Sequence, residues 1–108
     1  MNYVLFEAGG KEYKLRLSTR ALINLEKTIG CNPLSIFGTG DTLPTITVMI
    51  AILHNSLTQL NHGITKEDAY GIWDAYLADG HTMTDFLGVI VDIYRVSGLM
   101  KAEETEKN

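Results

Sequence analysis

Cys31, His54, His62 and His81 are the side chains of this sequence best suited to nucleophilic or metal chemistry. A zinc site needs clustered thiolates or imidazoles, on a helix commonly at i, i+4. His54 and His62 stand eight residues apart, and Cys31 has no second ligand near it in sequence. His62 precedes Gly63 and His81 follows Gly80, positions that suit helix ends and turns. A cysteine nucleophile needs a base beside it, whereas Cys31 lies between Gly30 and Asn32-Pro33 with no histidine motif, and reads as a passive thiol. Glu67/Asp68 and Asp74/Asp79 pair carboxylates as acid–base catalysis would. Their places at a helix start and on a polar face suit helix-dipole and solubility roles instead. Gly38-Thr39-Gly40-Asp41 has the glycine content of a phosphate loop but neither the lysine of a Walker motif nor an apolar strand before it. The expectation is a protein without catalytic residues, metal or cofactor, which acts by binding other macromolecules.

Charge narrows the class of partner. The formal net charge is −4. In residues 1–27, Lys11, Lys14, Arg16, Arg20 and Lys27 outnumber Glu7, Glu12 and Glu26. In residues 28–100 only Lys66 and Arg95 stand against Asp41, Glu67, Asp68, Asp74, Asp79, Asp85 and Asp92. Such a body repels phosphate, so no nucleic acid is expected, and a basic protein partner would be drawn to it. A helix-turn-helix reading of the last two helices fails for the same reason: the second offers Arg95 beside Asp85 and Asp92. The longest apolar stretch, residues 46–53, is broken by Thr47 and falls well short of the ~20 residues of a membrane span. No signal-peptide pattern opens the chain, and one cysteine fits a reducing compartment. A cytoplasmic protein with no membrane partner is expected.

The elements needed to present a binding surface follow from periodicity. Gly9-Gly10 suits a type I′ turn, which sets Phe6 opposite Tyr13 and Val4 opposite Leu15. One hairpin face then carries Val4, Phe6, Ala8, Tyr13, Leu15 and Leu17; the other carries Tyr3, Leu5, Glu7, Glu12, Lys14 and Arg16. Ser18 caps a first helix with Leu22, Leu25 and Ile29 on one side and Gly30 as its stop. A connector over residues 31–43 holds one short turn near Leu34 and Phe37. A second helix is predicted over residues 44–61, with Ile46, Met49 or Ile50, Leu53, Leu57 and Leu60 as its stripe and Val48 and Ile52 as an added apolar face. Thr65/Asp68 and Thr82/Asp85 open a third and a fourth helix in capping-box fashion. The fourth is apolar around most of its girth, which predicts a central position or a contact with a second chain. The fold class expected is α+β, an N-terminal β-hairpin packed on a bundle of about four helices. One domain should cover residues 1–100, with a flexible polar tail over residues 101–108.

The order of hairpin, capped helix with Ser-Thr-Arg-Ala-Leu-Ile-Asn-Leu-Glu-Lys over residues 18–27, glycine, Asn-Pro loop and apolar helix resembles a known family. It is similar to the small tail assembly chaperones of tailed phages and prophages of Gram-positive bacteria, over roughly residues 3–98. The most specific piece is Leu15-Arg16-Leu17-Ser18 leading to Leu25-Glu26-Lys27-Thr28-Ile29-Gly30. The resemblance implies a non-catalytic protein that coats the tape measure protein and helps tail-tube protein polymerise around it. It also implies a longer product made by frameshifting near the end of the gene.

A chaperone of that kind needs exposed apolar or sheet-edge surface. Tyr3 and Leu5 on the outer hairpin face, and Val48 and Ile52 on the second helix, are the candidate partner-binding residues. The same apolar surface would serve a homo-oligomer. Two other classes stay open: a structural phage component such as a head–tail completion or tail protein kept in the virion, and a small enzyme or regulatory subunit.

Overall fold

The chain doubles back at Gly9-Gly10, where φ angles of 61° and 79° make a two-residue turn that residues with a Cβ rarely adopt. In the computed structural model, which describes residues 2–37 and 43–101, this turn joins β1 (Val4–Ala8) to β2 (Lys11–Leu15). The register is the expected one, with Val4 opposite Leu15 and Phe6 opposite Tyr13. Phe6, Ala8 and Leu15 are buried on the inner face, with Val4 and Tyr13 packed at its margin. Gly9 is constrained a second time. A Cβ there would lie 3.1 Å from the Cβ of Ala75, and its N–H donates to Asp79 Oδ2 at 2.8 Å.

The helices start where their caps predict. α1 (Thr19–Ile29) follows Ser18, whose hydroxyl accepts from the Ala21 amide, and stops at a left-handed Gly30. A 3-10 run, Pro33–Phe37, takes the place of the expected short turn. α3 (Lys66–Ala78) and α4 (Met83–Val96) both begin in complete capping boxes, Thr65 with Asp68 and Thr82 with Asp85. α2 (Ile46–Leu57) is shorter than predicted at both ends. It starts at Ile46, capped by Thr45, rather than at residue 44. At its end the Thr58 hydroxyl and the Asn61 amide donate to the Asn55 and Leu57 carbonyls, so side chains take over from the helical ladder. The architecture is thus α+β, a two-stranded antiparallel hairpin against four helices. The Gly38-Thr39-Gly40-Asp41 segment and the polar tail from residue 102 lie outside the described residues.

The centre belongs to α2. Met49, Ile50, Ala51, Ile52, Leu53, Asn55, Ser56 and Leu57 are all buried, and α1, α3, α4 and β2 each pack on it. Ile52 corrects the sequence reading. It is 0% exposed and part of the core, because α1, α3, α4 and β2 all pack on α2 and leave Ile52 no apolar surface to present. Val48 is half-buried at the margin. α4 sends Phe86, Ile90, Ile93 and Tyr94 into the same core, with Leu87 and Val89 packed beside them. Tyr94 is fully buried and donates its hydroxyl proton to the Pro33 carbonyl at 2.9 Å. Burial first, and the neighbouring Cys31 second, push its ionisation well above the ordinary tyrosine range, so it remains a donor.

Truncating Ile52 to Ala should lower the unfolding free energy by about 2–5 kcal/mol, read from denaturant titration. Leu5→Ser, at a position 47% exposed, should stay within about 0.5 kcal/mol of wild type. Equal losses at the two sites would contradict this division of core from surface.

Candidate binding surfaces

In a two-residue hairpin the backbone groups of alternate residues point away from the partner strand. On β2 those of Lys14 are taken: its N–H donates to Asn61 Oδ1 at 3.3 Å and its carbonyl accepts from Asn61 Nδ2 at 2.6 Å. The next outward amide, Arg16, donates to the Ser56 carbonyl at 2.9 Å. The free edge of β2 is therefore closed by the end of α2. Arg16 also spans to α4, its Nη1 donating to the Asn2 and Val96 carbonyls, while Ser97 Oγ accepts from the Leu17 amide. Neither strand edge was expected to be closed, because side chains 47 residues away leave no local signal.

β1 keeps its outer edge. Leu5 is 47% exposed there and Glu7 is exposed beside it. Tyr3 is half-buried under the Lys14 ammonium, which lies 5.0 Å from its ring centroid. Glu7 stands directly opposite Glu12, both exposed, and like charges in that position oppose further strand pairing. The hairpin face expected to bind thus offers one apolar side chain, Leu5, on a guarded edge.

A larger surface lies on the other side of α2. A trough of about 1130 Å³ runs between α1 and the end of α2, past Arg20, Ile23, Lys27 and His54. It meets a second concavity of about 600 Å³ where α1, α2 and α3 converge on Ile46, Ile50, Lys66, Tyr70 and Trp73. Asn24, His54 and Asn55 line both. Asn24 Nδ2 donates to Asn55 Oδ1 at 2.9 Å and Asn55 Nδ2 to the Ala51 carbonyl at 2.8 Å. The divide between the two is therefore a satisfied polar ledge, with a largely polar lining on the α1 side and the apolar Ile46, Ile50, Ala51, Tyr70 and Trp73 on the other. Ile46 is 43% and Tyr70 42% exposed at its rim. The sequence reading placed Ile46 on the buried stripe and passed over Tyr70. The signal available was Tyr70 with Leu77, a second apolar line on α3 away from Ala69, Ile72, Trp73 and Tyr76.

His54 is the only histidine on this surface, and its imidazole is held below the ordinary range by burial first and the Lys66 ammonium second. His81 stacks on Tyr76 at 4.4 Å between ring centroids and lies 3.8 Å from Asp85. Cys31 is exposed and carries a free thiol. Among the described residues no three His, Cys, Asp or Glu side chains are grouped to hold a metal ion. None of the described helices is long and apolar enough to cross a membrane.

The model of one family, described as "Family of unknown function (DUF6096)", matches residues 4–108. No curated protein and no solved structure matches the chain.

The lowered imidazole of His54 has a consequence for stability. Above the ordinary imidazole value of about 6.5 the group is neutral both folded and unfolded and has no effect. As pH falls below that value the unfolded chain takes up the proton first, so folding loses stability until the lower folded value is passed. The thermal midpoint should therefore fall between about pH 7 and pH 5, and His54→Gln should flatten that fall. Asp68, lowered by its Thr65 hydrogen bonds, acts in the same direction only near and below the carboxylate range. A profile between those pH values that His54→Gln leaves unchanged would contradict the assignment.

Proposed function

The chain belongs to that family of unknown function, and from its own sequence and geometry we propose that it is a non-catalytic binding protein, a tail assembly chaperone of a tailed phage or prophage. Its partner is the tape measure protein, which it holds in the host cytoplasm while tail-tube protein assembles around it. The observation that carries the reading is the trough along α1, α2 and α3. Its larger lobe of about 1130 Å³ exceeds the roughly 300–1,000 Å³ of a small-molecule site. Its smaller lobe, of about 600 Å³, offers Ile46 and Tyr70 at the rim to an apolar stripe such as an amphipathic helix presents. Long helices of that kind aggregate through their stripes until they are enclosed, which is what a chaperone prevents. The family resemblance over residues 3–98 supplies the biological setting.

Co-expression tests this directly. The long helical product of a neighbouring gene should aggregate alone, and should co-purify in soluble form with this chain. Ile46→Ser/Tyr70→Ser should weaken capture, and Tyr3→Ser/Leu5→Ser should weaken it less. No co-purification at low or high salt would remove the chaperone reading. Recovery of the chain in stoichiometric amounts from purified virions would favour a structural tail component instead.

A further inference from the structure

The trough has a charge opposite to that of the protein that carries it. The whole chain is at −4, yet the trough is lined by Arg20, Lys27 and Lys66 against one carboxylate, Asp74. All three cations are exposed: Arg20 and Lys27 lie on α1 along the larger lobe, and Lys66 lies at the start of α3 in the smaller lobe with Ile46, Ile50 and Tyr70. His54 between them, its imidazole held below the ordinary range by burial and Lys66, adds no charge near neutral pH. Outside the trough, by contrast, the described residues 43–100 carry exposed Glu67, Asp68, Asp79, Asp85 and Asp92 against Arg95. A basic partner would therefore be drawn to that acidic surface and turned away from the trough.

We propose that the trough binds an amphipathic helix whose apolar stripe is flanked by acidic side chains. The proposal rests on the reading of this chain as a helix-binding protein, and not on the phage assignment. The stripe covers Ile46, Ile50 and Tyr70, while Glu or Asp on either flank reaches Arg20 and Lys27 on one side and Lys66 on the other. Flanking ion pairs at a solvent-exposed rim contribute little each and act mainly as a selector, since the wrong sign is repelled by three cations at once. The acidic remainder of the surface then repels misplaced copies of the same helix.

Two fluorescein-labelled peptides of about 18 residues decide the matter, enough for roughly five helical turns. Both carry the same leucine stripe at i, i+3, i+4 and the same Gln and Ala back; one has Glu flanks, the other Lys. The full chain is titrated into each and anisotropy is read at low and high salt. The expected result is binding of the Glu peptide about tenfold tighter than the Lys peptide, with the gap closing at high salt. The charge reversal Arg20→Glu/Lys66→Glu should invert the preference without changing the thermal midpoint by more than a degree or two. A change in Trp73 emission, the one tryptophan of the chain and part of the trough, should accompany binding. Equal affinity, or preference for the Lys peptide, would overturn the acidic class while leaving a helix-binding trough. Binding of neither peptide, or binding without any response of Trp73, would overturn the trough as the site. In that case co-purification with the long helical gene product would still decide the chaperone reading separately.

Discussion

A helix that is apolar on almost every side must be surrounded, and that requirement organises this protein. From Met49 to Leu57 every residue of α2 except His54 is buried. One neighbour cannot achieve this, since a helix contact covers only part of a helix surface. α1, α3, α4 and the β2 strand each take a side. The hairpin would be marginal alone, because two strands with one apolar face are not enough in water. Here it closes the cage around α2, with Phe6 set against Tyr76 and Phe86 at centroid distances of 4.9 and 6.0 Å.

The polar groups that α2 brings into this cage are each used. Ser56 donates its hydroxyl to the Leu53 carbonyl, and its own carbonyl receives the Arg16 amide. Asn55 bonds the Ala51 carbonyl and the Asn24 side chain. Just beyond the helix, Asn61 serves both backbone groups of Lys14. These bonds do double work. They satisfy groups that would otherwise cost free energy on burial, and they fix where the hairpin and α1 lie against α2. The trough follows from the same placement. α1 and α3 both pack on α2, and the Asn24–Asn55 pair lies where the two lobes of the trough meet.

Local chemistry was legible in the sequence. The Gly9-Gly10 turn, the strand register, the Ser18 cap and both capping boxes depend on residues within a few positions of each other, and all stand where spacing placed them. Long-range polar contacts were not legible, since Gly9 with Asp79 and Lys14 with Asn61 are joined across 70 and 47 residues. The fourth helix reaches the core as its apolar girth suggested, but the sequence did not reveal that α2 has the more neighbours, and so Ile52 is enclosed rather than presented. Of the residues expected to meet a partner, Leu5 is exposed, Tyr3 and Val48 are half-buried and Ile52 is inside. The trough joins α1, α2 and α3, so no single periodic pattern could reveal it.

Native-state hydrogen exchange measures the enclosure of α2 directly. Amides deep in a cage that opens only on global unfolding exchange at the free energy of global unfolding, whereas elements covered on one side open locally first. The account predicts that amides of residues 50–57 are the slowest in the chain and share the denaturant dependence of global unfolding. Amides of α1 and the β1 strand should open at lower free energy. Faster exchange in α2 than in α1 or α4 would contradict it, and would move the organising centre of the protein elsewhere.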